Sequence, residues 1–220
     1  MLVAIPLFDR FTALDAVGPY EVLSRLPGAE VTFVGERTGP HRSDTAMLAL
    51  TVDAALDEVD ACDVLVVPGG PGTRAMLEPG PLHEWIAHVH EGTQWTTSVC
   101  TGSLILGAAG LLQGLEATTH WAAMGELAPL CGQAVKDRRV VPQGKIVTAA
   151  GVSSGIDMAL WLAAQIAGDD VARAIQLGIE YDPQPPFDSG SVAKADPELV
   201  AFLRELIVDR PAPDEVAADA

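Results

Sequence analysis

The sequence predicts one α/β domain of about 190 residues, built as a three-layer sandwich with a mostly parallel central sheet and helices on both faces. Three observations predict it. Short apolar runs alternate with longer amphipathic ones, the pattern of buried parallel strands joined by crossover helices. A chain of 220 residues with 49% hydrophobic and 20% charged residues has the balance of one well-buried domain and is too short for two ordinary enzyme domains. Two glycine-bearing turns, Pro68-Gly69-Gly70-Pro71-Gly72 and Cys100-Thr101-Gly102-Ser103, each follow an apolar run, as loops at the carboxyl edge of such a sheet do.

The elements follow in order. Residues 2–8 read as the first buried strand, and residues 16–26 have helical spacing and stop at Pro27-Gly28. Residues 31–34 form a second strand, and residues 45–52 a hairpin or edge excursion after Thr38-Gly39-Pro40. Val64-Leu65-Val66-Val67 is a buried strand that ends in the glycine loop. A helix over 82–90 stops at Gly92, and residues 94–99 form another central strand leading into Cys100. Residues 101–112 carry a helix rich in Gly and Ala, which implies close packing on the sheet. Later come a helix over 121–127, a hairpin around 141–145, and helices over 154–166 and 169–177. Pro183-Gln184-Pro185-Pro186 is irregular, residues 197–208 form an amphipathic helix, and residues 210–220 are expected to fray. The division is therefore an α/β domain over 1–191 and a C-terminal helix with a frayed tail over 192–220, packed on or beside it. No internal repeat is present.

Composition narrows the function classes. A net charge of −17 repels nucleic acid and anionic membranes, and favours a small neutral substrate. No run reaches the ~20 apolar residues of a membrane span, and the first residues lack a basic leader and a small-residue cleavage site, so a soluble, cytoplasmic protein is expected. Cys62, Cys100 and Cys131 form no CxxC pair and have no His at ligand spacing. Neither a metal site nor a disulfide framework is suggested.

The chemistry centres on Thr97-Ser98-Val99-Cys100-Thr101-Gly102-Ser103, which places a thiol where a buried strand turns into a helix of small residues. A residue at such a nucleophile elbow projects above the sheet edge. The adjoining helix N-terminus is expected to favour thiolate over thiol. Gly69 and Gly70, after the neighbouring strand, allow close backbone approach, and the N–H groups of Gly70 and Thr101 could face charge developing on an attacked group. Asp15, after the first strand, is either the acid/base partner of the thiol or an N-cap, and Glu21 could point to the site instead. His120 fits a structural hydrogen bond better than a Cys/His pair, and His83, His88 and His90 read as residues of a surface helix.

On these motifs the chain resembles the ThiJ/PfpI superfamily, of class I glutamine amidotransferase-like, flavodoxin-like fold, and most closely its isonitrile hydratase branch. The likeness runs from Leu2 to about Ser191 through Leu14-Asp15-Ala16-Val17-Gly18-Pro19, Val67-Pro68-Gly69-Gly70, the Cys100 string with Leu104 to Leu112, Ala117-Thr118-Thr119-His120-Trp121, Gly151 to Asp157 and Tyr181 to Gly190. The resemblance implies Cys100 as nucleophile, Thr101 as its hydrogen-bonding neighbour, Asp15 as the acid, no cofactor or metal, and a homodimer. The protease-like branch places His directly after its Cys; Thr101 here disfavours proteolysis. The expected reaction is thiolate attack on an isonitrile, with Asp15 as general acid/base, yielding an N-substituted formamide. Glyoxalase or deglycase-like action on methylglyoxal, and a non-catalytic redox or ligand sensor in which Cys100 oxidises, are the alternatives.

Overall fold

Val3, Ala4 and Ile5 are fully buried, and this apolar run forms β1 (Leu2–Pro6) at the middle of the sheet. The computed structural model describes residues 1–208. After β1 come α1 (Ala13–Leu23), β2 (Glu30–Gly35), an antiparallel hairpin of β3 (Gly39–Arg42) and β4 (Ala49–Val52), the short β5 (Ala54–Ala55) and β6 (Val64–Val67). The chain continues through α2 (Pro81–Gly92), β7 (Trp95–Val99), α3 (Gly102–Ala108), β8 (Glu116–Ala117), α4 (Met124–Leu127) and β9 (Gln133–Ala134). The hairpin of β10 (Val140–Gln143) and β11 (Ile146–Ala149) then leads into α5 (Ser154–Ala167) and α6 (Asp169–Gly178).

Seven strands lie in the order β10-β11-β7-β6-β1-β2-β5, and every neighbouring pair is parallel except β10 with β11. All four residues of β6 are buried, as expected of a parallel strand covered on both faces. From β1 the chain first steps to β2 and later returns to β6 on the other side. Right-handed crossovers then put α1 and α2 on opposite faces. α5 packs against both α1 and α6, while α3 packs with α2 and α4. The β1/β6 junction is a switch point, where loops leaving the carboxyl edge diverge and open a crevice.

Local chemistry explains the boundaries. Pro81 opens α2 at a position whose N–H would be unpaired in any case. At its other end Lys145, from the β10–β11 turn, donates to the carbonyls of His90, Glu91 and Thr93, placing a cation at the negative end of the helix dipole. α1 starts three residues earlier than its apolar periodicity indicates, because Ala13 and Leu14 complete a first turn after Thr12. α3 ends at Ala108, short of the expected residue 112, where Gly110 takes φ 81° and turns the chain away. Residues 121–127 divide into a 3-10 turn, Trp121–Ala123, and the short α4. His83 is buried rather than on a surface: its Nδ1 accepts the Gly80 N–H and closes the first turn of α2. His90 is half-buried against Thr96, and His88 is exposed.

The described residues form two units, Met1–Tyr181 and the segment from Asp182 onward. The first holds the sheet and its core. The second is irregular through the proline-rich stretch and then forms α7 (Pro197–Val208), whose first turn is capped by Asp196 accepting from the Glu198 N–H at 2.8 Å. The tail over 210–220, expected to fray, lies outside the described residues. Among the described residues, no helix is long and apolar enough to cross a membrane.

Candidate active site

Cys100 is the first residue after β7 and has φ 57°, the left-handed conformation that a non-glycine residue adopts at a cost of about 1–2 kcal/mol. Four hydrogen bonds hold it there. Its N–H is shared between the carbonyl of Ala149, the last residue of β11, at 3.1 Å and that of Ala150, just after it, at 3.3 Å. Its carbonyl accepts from Ser103 Oγ at 3.2 Å and Thr119 Oγ1 at 2.9 Å. The turn also requires Gly102, since a Cβ there would lie 2.1 Å from Val67 O, inside the end of β6.

Asp15 is the third residue of α1, fully buried, and is not an N-cap. Its Oδ2 accepts the Gly69 N–H at 3.0 Å, tying α1 to the loop after β6. The Cys100 thiol is close enough for thiol and carboxyl to shift each other's pKa, and Oδ1 has no hydrogen-bond partner among the described residues. Burial raises the Asp15 pKa from 3.8 to about 8, helped by the negative charge of Asp44 on the β3–β4 hairpin and opposed by the Gly69 N–H and the thiol. Burial and the neighbouring carboxyl likewise push the Cys100 thiol well above its ordinary value, against hydrogen bonds from the Thr101 N–H and hydroxyl. The site therefore rests as a neutral acid beside a neutral thiol. A thiolate stabilised by the helix end, expected from the sequence, is not the resting form: desolvation outweighs the few N–H groups of a seven-residue helix.

Thr101 is the hinge of the arrangement. Its hydroxyl accepts the Gly70 N–H at 2.8 Å and lies 3.1 Å from Gly70 O, so the loop after β6 and the elbow after β7 are stitched together. The N–H groups of Gly69 and Gly70 are thus both committed within the protein, to Asp15 and to Thr101. As the residues stand, they hold the acid and the elbow in place and are not free to face an oxyanion. Gly70 has φ 140°, and a Cβ on it would lie 2.5 Å from Arg10 O and Thr12 N.

The remaining candidates separate from the site. Glu21 pairs with Arg25 on the surface of α1. Cys62 is a core residue whose thiol burial pushes up to about 11, and Cys131 lies half-buried near β9. His120 caps the turn after it by accepting the Ala122 N–H, and burial with the nearby Arg74 cation keeps its pKa low. The sequence alone assigns no role to Thr119 or Asp44, and marks Ser103 only as a small neighbour of the elbow. Thr119 stands in a motif already singled out, whereas nothing local marks Asp44, which reaches the site only because the hairpin folds back onto residues 10–12.

A cysteine at a left-handed elbow after a central parallel strand, with a buried carboxyl from the helix after β1, defines a flavodoxin-like α/β protein with a thiol–acid site at the switch point. Residues 1–165 match the DJ-1/PfpI family, and the chain belongs to that family. It is 44% identical over 199 residues to an isonitrile hydratase of Pseudomonas putida, across 90% of this chain and 86% of that protein. It is also 31% identical over 186 residues to the HTH-type transcriptional regulator GbdR of Pseudomonas aeruginosa, across 80% of this chain and 49% of the regulator. Among solved structures, a ThiJ/PfpI family protein from Pseudomonas syringae superposes with a TM-score of 0.90 at 35% identity, covering 94% of this chain and 86% of that one. DJ-1beta of Drosophila melanogaster shares the fold, with a TM-score of 0.75 at 22% identity over 83% of this chain and 98% of its own.

Proposed function

We propose that the protein hydrates an isonitrile to an N-substituted formamide, with Cys100 as nucleophile and Asp15 as the one group that moves protons. The observation that carries the reading is a fully buried carboxyl, Asp15, held by the Gly69 N–H at the same sheet edge as the left-handed elbow of Cys100; burial favours the neutral form of both groups. An isonitrile has a lone pair on its terminal carbon and becomes electrophilic there once protonated. Asp15, still an acid at neutral pH, donates its proton to that carbon; the Cys100 sulfur attacks the same carbon, and the thiol proton passes to the carboxylate just formed. The product is a thioimidate on Cys100 with Asp15 protonated again. Asp15 then protonates the imidate nitrogen and accepts a proton from water as the water adds to the carbon. Collapse breaks the C–S bond: the hydroxyl proton goes to Asp15, the Asp15 proton goes to sulfur, and the formamide leaves.

Kinship with the Pseudomonas putida isonitrile hydratase supports this choice of substrate. A peroxide-sensing role is favoured less, because oxidation needs a thiolate and the Cys100 thiol is held protonated. As the family resemblance implies, we take the working form to be a cytoplasmic homodimer acting on a small molecule, which sedimentation and cell fractionation check. The activity test is incubation of purified protein with alkyl and aryl isonitriles, with formamide followed by NMR. Unchanged isonitrile, or equal turnover by Cys100→Ala, would overturn the proposal.

A further inference from the structure

The unit that begins at Asp182 has no core of its own: no residue from 182 to 207 is buried, although the stretch includes the 12-residue helix α7. A helix of that length is marginal in water unless one of its faces is packed. Two apolar sides run along it. Val200, Leu203 and Ile207 are half-buried, while Leu199, Phe202 and Leu206, spaced three and four residues apart, are 41%, 61% and 54% exposed. Residues 209–220 hold one large apolar side chain, Val216, so the end of the chain has little with which to cover that stripe.

The first unit carries a matching surface. An open groove of about 430 Å³ lies between α6 and the turn after α1, lined by Pro27, Val171, Ala174 and Ile175 together with one cation, Arg25, and one acid, Asp170. Its lining comes entirely from the first unit. Leu177, on the same α6, is 81% exposed. The chain leaves this unit from a fixed root: the Tyr181 hydroxyl donates to Asp157 Oδ1 at 2.7 Å, its carbonyl accepts from Gln176 Nε2 at 3.1 Å, and Arg139 Nε donates to Asp157 Oδ2 at 2.6 Å. From there residues 182–196, stiffened by Pro183, Pro185 and Pro186, can extend up to about 45 Å at ~3.1 Å per residue before α7 begins.

We propose that α7 is an exchange arm: its stripe of Leu199, Phe202 and Leu206 packs into the α1/α6 groove of a second copy of this chain, and the second copy's α7 returns the contact about a two-fold axis. One chain supplies both an uncovered apolar stripe and an uncovered apolar groove, so two copies close both at once, as exchanged dimers do. Three side chains offering roughly 100 Å² each, set against a groove of like area and counted twice by symmetry, bury about 1,200 Å², the lower end of what a specific interface needs. Charge agrees with this pairing. At −17 two copies repel, and that repulsion is weakest where α7 carries Arg204 with Glu198 and Glu205 and the groove carries Arg25 with Asp170. The DJ-1/PfpI match ends at residue 165, so the arm lies outside what defines the family. The inference names the contact behind the homodimer taken above and does not depend on the reaction.

Sedimentation of the full chain and a pair of engineered cysteines test this. Phe202→Asp, a change at an exposed position, is expected to raise the dimer Kd by about a hundredfold or more, because it puts a charge into an apolar groove in both halves of the contact. Ala174→Arg should do the same from the groove side, with circular dichroism confirming that both variants are folded. For the second measurement, Cys131→Ser removes the partly exposed thiol; Phe202→Cys and Ala174→Cys are then made in separate chains and the two proteins mixed under mild oxidation. A disulfide joining one chain of each kind is the expected product. Phe202→Cys chains joined only to each other, a disulfide formed only within one chain when both cysteines are placed on it, or no cross-link at all would overturn the exchange. The two claims fail differently: a wild type that sediments as a monomer sinks the homodimer and the arm together, whereas a dimer that survives both Phe202→Asp and Ala174→Arg keeps the homodimer and sinks the arm.

Discussion

Replacing Asp15 by Asn is expected to stabilise the protein while disabling it. The carboxyl is fully buried, and its pKa stands at about 8 in the folded chain against 3.8 for the free group. Below pH ~4 both folded and unfolded states hold the proton, and the group adds no pH dependence. Between about 4 and 8 the unfolded chain releases a proton that the folded chain keeps, so stability falls as pH rises through that window and levels off above it. At ~1.36 kcal/mol per tenfold change in acidity, the cost is on the order of 4 kcal/mol at neutral pH. Asparagine has the same shape and never ionises; its oxygen can accept from Gly69 and its amide can donate to the Cys100 sulfur. Its second N–H lacks an acceptor, which takes back about 1–2 kcal/mol. The expected net gain is about 2–3 kcal/mol at neutral pH, or roughly 4–12 °C in Tm for a chain of this size, and it turns into a loss of about 1–2 kcal/mol under acid conditions, where only the unpaired N–H remains. Urea denaturation near pH 4, 7 and 9 measures it, with formamide production followed in parallel. An Asn variant that loses stability with rising pH as steeply as the wild type would refute the assignment of a buried, protonated Asp15.

Three further outcomes follow from the same geometry. Turnover should be level below about pH 8 and decline above it as Asp15 loses its proton; a rate that climbs from pH 8 to 10 would mean that thiolate formation, not the acid, limits the reaction. Thr101→Val leaves the buried Gly70 N–H without its acceptor and should cost about 1–3 kcal/mol in urea denaturation as well as slowing formamide release; wild-type stability would show that the stitch between the two loops carries nothing. Gly102→Ala would press a Cβ to 2.1 Å from Val67 O and 2.9 Å from Pro68 O, both backbone atoms that cannot turn aside. A loss beyond about 4 kcal/mol, seen as low soluble yield or a much reduced Tm, is expected; a well-folded Ala variant would contradict the close packing of the elbow on β6.

The strands were legible because a buried parallel strand is written as an uninterrupted apolar run, as Val64 to Val67 shows. Helix ends were less so. α3 stops at Ala108 because Gly110 takes a left-handed conformation, and a run of Gly, Ala and Leu does not reveal which glycine will do so. His83 looked like a surface residue because the polar side of α2 cannot be told from its sequence until the helix has a neighbour to bury it.

By itself the sequence determined the α/β class, the thiol at an elbow, the glycine loop beside it and Asp15 as one of two possible acids. These are local matters: side-chain period, the chain's need for glycine at tight turns, and residue types set next to one another. Only the tertiary structure places Asp15 against the loop after β6 and Glu21 beside Arg25, because that depends on which side of α1 faces the loop. It alone also decided the protonation state, since desolvation of Asp15 and Cys100 is a sum over everything packed around them, Asp44 from a distant hairpin included. The N–H groups of Gly69 and Gly70 changed meaning for the same reason: a free donor and a committed one have the same sequence, and only the partners that folding brings up, Asp15 from α1 and Thr101 from the elbow after β7, tell them apart.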